Sequence, residues 1–249
     1  MDDRLMKLML DLDERHWWYR GRRRIIRAEL DRLAPAAGAR VLDAGCGSGR
    51  TLAQLETYGE VCGIELNDDA AAVARARGHG EVRVGRLESL PWPDGTFDLI
   101  TCLDVIEHTP EDRTTLRELR RVCRPGGRLL LTVPAYQFLW SAHDEANHHY
   151  RRYSHGTLGR ACADTGWHLK RMTSFNSLLL PVAATVRLAQ RCRPSVEGER
   201  GSDLRLGPRW LNSVLERPLQ LEARWLSGGR TLPAGLSLLA VVENPRGVS

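Results

Sequence analysis

Three glycines at alternate positions, Gly45, Gly47 and Gly49, directly follow an apolar run that begins at Val41. An apolar strand that leads into such a turn and then into a helix presents backbone N–H groups where an anionic group is favoured. Glycine also permits positive φ and lets a ligand approach the backbone more closely than a Cβ would. The loop is therefore a candidate site for a ligand that carries an anionic group such as a carboxylate.

An acidic residue, Glu65, ends the next predicted strand twenty residues after Gly45. In open α/β folds, an acid at this place accepts hydrogen bonds from two ribose hydroxyls. The nicotinamide fingerprint is G-x-G-x-x-G, whereas this loop reads G-x-G-x-G and continues with Arg50. No Gly-Lys-Ser or Gly-Lys-Thr phosphate loop occurs in the sequence. Any one glycine alone would indicate an ordinary turn, but the combination predicts a nucleoside ligand and argues against a dehydrogenase.

Histidines are the second set of candidate chemical groups, because an imidazole can take a proton near neutral pH. His108 follows a predicted strand at the edge of the sheet where open α/β folds bind ligands. His143, His148 and His149 lie in the segment from Trp140 to Tyr153, after the fifth predicted strand. Each is a candidate catalytic base, and a hydrogen-bonded structural imidazole is an equal alternative for His108. No HxxxH or H-E-x-x-H spacing is present, so no metal is predicted.

Aromatic and basic side chains near these histidines are candidate acceptor contacts. A cluster of arginines between positions 20 and 27 adjoins an N-terminal Trp-Trp-Tyr segment, which would suit an acidic ligand or a membrane surface. A solvated helix face is the simpler interpretation of that cluster. The candidate substrate-binding residues are His16, Trp17, Tyr136, Trp140, Tyr150, Arg152 and Tyr153.

An alternation of short β-like and longer helix-like runs from Arg40 onwards must position these groups. Such alternation predicts a parallel sheet covered by helices. The predicted strands are Arg40–Ala44, Glu60–Glu65, Glu81–Gly85, Phe97–Leu103, Gly127–Val133, His168–Ser174 and Ser237–Glu243. The predicted helices are Leu5–Leu33, as one or two helices, then Arg50–Tyr58, Asp68–Arg77, Pro110–Cys123 and Ser154–Asp164.

A length of 249 residues fits one catalytic domain, 1–249. We expect an N-terminal helical lid at 1–34 and cap insertions at 134–155 and 175–233. The stretch from Arg191 to Arg209 is rich in Arg, Gly and Pro and is expected to be a loop.

The charge and cysteine content of the sequence bear on the partners of the protein and on its localisation. The net charge of +5 comes almost entirely from arginine and is dispersed, and no Asn-Pro-Pro-Tyr or Asp-Pro-Pro-Tyr motif occurs, which argues against a nucleic-acid partner. Six cysteines without a CxxC pair predict reduced thiols. With no secretory signal and no apolar run long enough to span about 30 Å of hydrocarbon, we expect a cytoplasmic protein. Peripheral membrane contact and the oligomeric state remain open.

From Val41 to Val133 the sequence resembles the class I S-adenosylmethionine-dependent methyltransferases. The resemblance is to the subgroup that includes ubiquinone and menaquinone biosynthesis methyltransferases. Its elements are the D-x-G-C-G-x-G loop at Asp43–Gly49, the acidic corner Ile64–Asn67, Leu90–Asp98, Glu107-His108, and Leu116–Glu118 leading to Arg124–Gly127. A segment similar to His149–Tyr153 also occurs in many bacterial relatives and supports an active-site cap.

The resemblance implies a Rossmann-like, doubly wound α/β sheet of seven strands in the order 3-2-1-4-5-7-6, with the seventh strand antiparallel and helical cap insertions. It implies that the glycine loop holds the methionine portion of S-adenosylmethionine, Glu65 the ribose and Leu66 an adenine face. Relatives often carry an aspartate for the adenine amine where this chain has Arg86, so Leu87 N–H or Glu88 is the expected substitute. The implied cofactor-binding residues are Tyr19, Asp43, Gly45, Cys46, Gly47, Gly49, Glu65, Leu66, Arg86, Leu87, Glu88, Leu103 and Asp104.

The function implied by the resemblance is methyl transfer to oxygen, nitrogen or carbon of a small molecule, with S-adenosylhomocysteine as product. A sulfonium methyl is already electrophilic, so the protein must mainly align a nucleophile and exclude water. The apolar cap segments predict an apolar natural product, an isoprenoid or a lipid-linked metabolite as acceptor. Two alternatives stay open: an enzyme that catalyses a cyclisation or rearrangement with the cofactor in a structural role, and a non-catalytic cofactor-binding module.

Overall fold

The computed structural model describes residues 15–191 and 209–246 of the chain. The first part of the predicted N-terminal helix, Cys192 and most of the predicted loop from Arg191 to Arg209 lie outside the described residues. The strands are β1 (Ala39–Ala44), β2 (Gly59–Glu65), β3 (Glu81–Val84), β4 (Phe97–Leu103), β5 (Cys123–Pro134), β6 (His168–Phe175) and β7 (Ser237–Glu243). The α-helices are α1 (Trp17–Leu33), α2 (Arg50–Leu55), α3 (Asp68–Ala76), α4 (Asp112–Val122), α5 (Ala142–Ala146), α6 (His155–Asp164), α7 (Leu180–Arg191) and α8 (Arg209–Ser227).

The strands form one sheet in the order β3-β2-β1-β4-β5-β7-β6, as predicted. β1 is parallel to both β2 and β4, and the pairs β2–β3 and β4–β5 are also parallel. Gly126 N–H donates to Asn244 O at 2.7 Å, and Ala135 N–H donates to Leu236 O at 2.9 Å. Residue numbers therefore rise along β5 while they fall along β7, so the prediction of an antiparallel seventh strand is confirmed.

The central strands are apolar because both of their faces are covered. Val41, Leu42 and Ile100 have no exposed surface, which is typical of parallel strands that carry helices on both sides. Helix α4 buries Leu116, Leu119 and Val122 completely, which is the predicted apolar stripe of a helix lying on a sheet.

Two predicted boundaries differ from the structure by three or more residues. The predicted start of β5 at Gly127 is too late, since Cys123 already pairs with Phe97 and the ladder resumes after a register shift. The helix predicted for Arg50–Tyr58 ends at Leu55. Pairing with β4 sets the start of β5, whereas local turn hydrogen bonds such as Thr57 N–H to Gln54 O follow the end of α2.

The contacts between Cα atoms divide the chain into two compact units. The first unit comprises Met1–Arg32, Pro134–Ser154 and Thr173–Leu238, and the second comprises Leu33–Val133, His155–Met172 and Leu239–Ser249. The predicted lid and both predicted cap insertions lie almost wholly in the first unit, whereas the glycine loop and Glu65 lie in the second. A single domain from end to end stays a prediction.

The first unit has a core of its own, in which α1 packs against α8. A Cβ on Gly21 would lie 2.3 Å from Leu219 Cδ1, so only glycine allows the two helices to approach this closely. Trp18 stacks on Phe175 with the ring centroids 5.9 Å apart. Among the described helices, none combines the length and the apolar character needed to cross a membrane.

Candidate active site

The glycine loop joins β1 to α2 in the second unit. Gly45, Gly47 and Gly49 have φ values of +79°, +53° and +77°, which residues with a Cβ rarely adopt. Gly45 N–H and Cys46 N–H both donate to Ile64 O, at 2.9 and 3.0 Å. The loop is thus held against the end of β2, in the conformation expected for its glycines.

The three glycines differ in what surrounds them. A Cβ on Gly45 would lie 2.6 Å from Val105 Cγ2, and one on Gly49 would lie 2.7 Å from Ala74 Cβ. A Cβ on Gly47 would meet no atom within 4 Å. The loop is therefore packed at both ends and open at its centre, which fits a ligand that lies against the backbone at Gly47.

Glu65 is connected to the same loop through its side chain. Its Oε2 accepts a hydrogen bond from Gly47 N–H at 2.9 Å, and its Oε1 accepts one from Asn67 N–H at 3.0 Å. Each carboxylate oxygen has a second lone pair, so the group can still accept two hydroxyl hydrogen bonds. This donor and acceptor chemistry fits a ribose, as the sequence predicts for Glu65.

The residues predicted to contact adenine lie after β2 and β3. Leu66 is 62% exposed, which is unusual for a leucine and leaves an apolar face open beside Glu65. Leu87 is buried, and Arg86 donates to Glu88 Oε1 at 3.3 Å. Their predicted contacts with adenine stay predictions.

Asp43 is held by a residue that the sequence analysis did not identify. The Thr101 hydroxyl donates to Asp43 Oδ1 at 2.7 Å, and the two residues are register partners on β1 and β4. Thr101 is a lone polar residue within the apolar run of β4, and that signal could have found it once β1 and β4 were taken as neighbours. Burial, together with the carboxylates of Asp43 and Glu65, raises the pKa of the Cys46 thiol far above its usual range. Cys46 is therefore a packing residue rather than a nucleophile.

The end of β4 carries three predicted residues. Leu103 is buried, and Asp104 follows it with a φ of +58°. Asp104 N–H donates to Thr132 O at 2.9 Å, so β5 fixes this left-handed residue. His108 ends a 3₁₀ turn that starts at Ile106, and its side chain is exposed.

In the first unit, the predicted histidine segment is organised around Asp144, which has no exposed surface. Asp144 Oδ1 accepts from His149 Nδ1 at 2.9 Å and from Arg152 Nε at 2.7 Å, and Oδ2 accepts from Arg152 Nη2 at 3.0 Å. Burial alone would raise the pKa of Asp144, but the hydrogen bonds from His149 and Arg152 outweigh it and hold the pKa well below the usual range. An ionised Asp144 makes Nδ1 the protonated nitrogen of His149, so Nε2 is the nitrogen that can accept a proton.

Sequence reasoning missed the role of Asp144 as the partner of His149. Arg152, a predicted acceptor contact, has its guanidinium engaged by Asp144. His148 has a φ of +55° and lies in the turn between Asp144 and His149. The side chain of His143 lies outside what the structure describes.

The predicted residues at the start of α1 surround a buried histidine. His16 is 3% exposed, and burial lowers its pKa, which favours the neutral imidazole. Its Nδ1 accepts from Trp18 N–H at 3.3 Å. The rings of His16 and Tyr19 meet edge to face at 6.0 Å, and Trp17 N–H donates to Asn212 Oδ1 at 3.3 Å. A structural role thus accounts for His16 without a substrate.

The aromatic candidates after β5 differ in exposure. Tyr153 is 2% exposed, and its carbonyl accepts from Tyr136 N–H at 2.7 Å. Tyr150 is exposed, and Trp140 is partly exposed. Tyr150 and Trp140 can reach a ligand more readily than Tyr153, whose side chain belongs to the core of the first unit.

Comparison with known proteins finds methyltransferases that are similar to part of the chain. Residues 42–131 match the methyltransferase domain family. A ubiquinone biosynthesis O-methyltransferase of Xanthomonas oryzae pv. oryzae is 36% identical over 104 residues, which are 39% of this chain and 44% of that protein. An uncharacterized 37.1 kDa protein in transposon TN4556 of Streptomyces fradiae is 28% identical over 217 residues, which are 79% of this chain and 59% of that protein. The matches thus cover about half the length of these relatives.

Among solved structures, the methyltransferase in a complex with the Haloferax volcanii Trm112 methyltransferase activator has the same fold. Its TM-score is 0.63 at 22% identity, over 94% of this chain and 92% of that one. The matched domain contains the glycine loop, Glu65 and β4, which are the features that carried the resemblance. Residues 42–131 thus match a methyltransferase domain, and the strand order β3-β2-β1-β4-β5-β7-β6 is part of a fold shared with a solved methyltransferase structure.

Proposed function

We propose that the chain transfers the methyl group of S-adenosylmethionine to a small-molecule acceptor. The observation that carries the proposal is the pairing of the open glycine loop with Glu65, whose carboxylate accepts from Gly47 N–H at 2.9 Å. Glu65 is the ribose acceptor, the open backbone at Gly47 lets the methionine portion of the cofactor approach the loop, and Leu66 offers an apolar surface to the base. When bound, S-adenosylmethionine supplies a methyl group activated by its sulfonium.

We propose His149 as the base that takes the acceptor proton, in preference to His108, His143 and His148. Asp144 lies 2.9 Å from His149 Nδ1 and fixes its tautomer, which is how a carboxylate prepares an imidazole for proton transfer. Only an acceptor that must lose a proton, such as a phenol or an alcohol, requires this base. The His149 proposal therefore goes with O-methylation.

Asp144 acts as a positioning residue in this mechanism. The pH dependence of kcat tests whether His149 is the base. We expect His149→Ala to lower kcat by about 10²–10⁴-fold with little change in KM. That loss should be smaller at alkaline pH, where the acceptor ionises without help. A His149→Ala enzyme with the kcat of the wild type at neutral pH would rule out His149 as the base.

We also propose an elongated apolar acceptor, on the basis of the apolar residues in the cap segments. Incubation of the purified chain with methyl-labelled S-adenosylmethionine and fractionated extracts tests both the reaction and the acceptor class. Label in an organic-soluble product supports the proposal. Turnover of an acceptor without label would point to a rearrangement, and tight cofactor binding without turnover would point to a non-catalytic module.

A further inference from the structure

The outer face of α8 (Arg209–Ser227) is apolar and exposed. Trp210, Val214, Leu221 and Trp225 are 67%, 47%, 57% and 45% exposed. At about 100° of rotation per residue, these four positions fall within an arc of about 60°, and they extend over about 22 Å of helix. We call this surface the α8 stripe.

The opposite face of α8 already supplies the packing of the helix. Leu219 and Leu226 have no exposed surface. Glu216 pairs with Arg20 at 3.1 Å, and Glu222 accepts from Ser177 N–H at 2.8 Å. Because the inner face secures the helix in the first unit, packing there does not explain why the outer face is apolar.

The charge around the α8 stripe is positive. The only acids of α8 are Glu216 and Glu222, and both are buried. Arg217 and Arg224 are exposed, and on the helical projection they lie within about 40° of Trp210 along one edge of the stripe. Every charged side chain on the exposed surface of α8 is therefore basic.

The basic edge continues from α8 onto α1. Arg224 lines a groove together with Arg24, Arg27 and Arg32. Asp31 is the one acid in the lining of that groove, and it lies 3.9 Å from Arg27. An apolar stripe thus borders a groove with an excess of positive charge.

We propose that the α8 stripe docks the protein on the surface of a membrane that contains anionic phospholipids. Tryptophan prefers the boundary between headgroups and acyl chains, and the stripe has one near each end. Arginines beside an apolar helix face attract anionic headgroups while the apolar side chains enter the interface. The proposal concerns a different surface from the glycine loop and does not depend on methyl transfer.

A second copy of this chain fits the surface less well. A two-fold contact through the α8 stripe would bring Arg217 and Arg224 of both copies into one interface, and α8 has no exposed acid to neutralise them. An anionic bilayer satisfies the apolar stripe and the arginines at once.

Flotation of the full chain with lipid vesicles tests the proposal. We expect at least about tenfold stronger binding to phosphatidylcholine vesicles that contain phosphatidylglycerol than to pure phosphatidylcholine, and weaker binding as salt is raised. Replacing Trp210 and Leu221 together by serine should reduce binding to the anionic vesicles by at least about tenfold. Leu169→Ser is the matched control, because Leu169 is 50% exposed but belongs to β6.

A second double variant distinguishes a loss of membrane binding from a loss of folding. Arg217→Gln combined with Arg224→Gln changes only exposed charges and should weaken binding about fivefold per arginine. Circular dichroism melting would show that each variant is folded. The proposal is overturned if the full chain does not bind anionic vesicles, if it binds both vesicle types equally, or if both double variants bind like the wild type. A dimer in sedimentation that the Trp210/Leu221 double variant dissociates, without vesicle binding, would assign the stripe to a second copy instead.

Discussion

At the scale of single residues, the proposed ribose contact of Glu65 gives a direct test of cofactor binding. Glu65→Gln replaces one accepting oxygen by an amide NH₂, which cannot accept and which faces Gly47 N–H or Asn67 N–H. Loss of one charge-assisted hydrogen bond is worth about 1.5–3 kcal/mol, so we expect S-adenosylhomocysteine to bind about 10- to 100-fold more weakly. Titration calorimetry measures this change.

Glu60→Gln is the control for that measurement, because Glu60 lies at the other end of β2 and is exposed. We expect its affinity to equal that of the wild type. Unchanged binding by Glu65→Gln would remove the basis for assigning the ribose to Glu65.

Asp144 gives a second prediction at this scale, which concerns pH. Its pKa in the folded chain is held below the value of about 3.9 expected when unfolded, so the ionised form stabilises the fold above that pH. This stabilisation is lost as the pH falls below about 4. In Asp144→Asn the contribution is absent at every pH, and Arg152 loses its buried partner, at a cost of about 3–5 kcal/mol.

Urea unfolding at several pH values tests the Asp144 prediction. The gap in unfolding free energy between the wild type and Asp144→Asn should be largest near pH 7 and should shrink below about pH 4. Asp164→Asn, at an exposed carboxylate paired with Arg113 at 2.9 Å, should change stability by less than about 1 kcal/mol. A gap that stays constant down to pH 3 would contradict the ionised Asp144.

Sequence reasoning identified Glu65 and the glycines but missed Asp144 and Thr101 as partners. The glycine loop and Glu65 are local signals, since a strand, a turn and one acid at a fixed distance specify them. The pairing of Asp144 with His149 requires a turn in which His148 has a positive φ. The residue types in this segment do not predict such a turn. The pairing of Thr101 with Asp43 depends on the register between two strands.

At the scale of elements, the turn from β1 to α2 gives a prediction about Gly47. Comparison with Gly38 distinguishes the effect of backbone strain from the effect of lost ligand contact. Gly47 and Gly38 both have positive φ, +53° and +75°, and a Cβ on either would meet nothing within 4 Å. Alanine at either position should therefore destabilise the chain by a similar amount, about 1–2 kcal/mol. Only Gly47→Ala should weaken S-adenosylhomocysteine binding, because only its Cβ would enter the ligand space.

Paired measurements of melting temperature and binding heat on Gly47→Ala and Gly38→Ala check this prediction. Gly45→Ala extends the series, since its Cβ would lie 2.6 Å from Val105 and should lower stability further. Equal affinities in Gly47→Ala and the wild type would mean that the ligand does not approach the loop at Gly47.

The helices and strands were predicted well where the spacing of apolar residues defines them, and less well at their ends. The stripe of α4 fixed that helix, and its end at Val122 differs from the prediction by one residue. The early start of β5 was missed because Pro125, Gly126 and Gly127 indicate a turn, and the ladder crosses it through a register shift. Such a shift depends on β4 and leaves no periodic signal in β5.

At the scale of the whole molecule, thiol reactivity gives a further prediction. The five cysteines of the described residues, Cys46, Cys62, Cys102, Cys123 and Cys162, are all buried and free. Burial raises the pKa of each of these thiols, for example to about 12 in Cys123 and Cys162. The thiolate is the reactive form, so none of the five should react quickly at pH 8.

A colorimetric thiol assay with and without urea tests this prediction. We expect at most one fast thiol in the folded chain, which would be Cys192, and six in urea. Two or more fast thiols without urea would show that the folded chain opens at one of the five buried positions.

The order of the sheet was predicted correctly, whereas no pattern in the sequence addresses the grouping of segments into two units. Strand order followed from the resemblance, whose motifs lie at the ends of β1, β2 and β4. The first unit combines segments that are far apart in the sequence, Met1–Arg32, Pro134–Ser154 and Thr173–Leu238. Its assembly depends on contacts such as the approach of Gly21 to Leu219, which no local pattern encodes.

The hydrogen bond from Gly47 N–H to Glu65 has an evolutionary consequence. Because the protein itself supplies this contact, the proposed nucleoside site has its shape before any ligand arrives. The Pro134–Ser154 and Thr173–Leu238 segments belong to the other unit, so substitutions there leave this contact unchanged. Related proteins can therefore differ in these segments and still retain the same proposed nucleoside site.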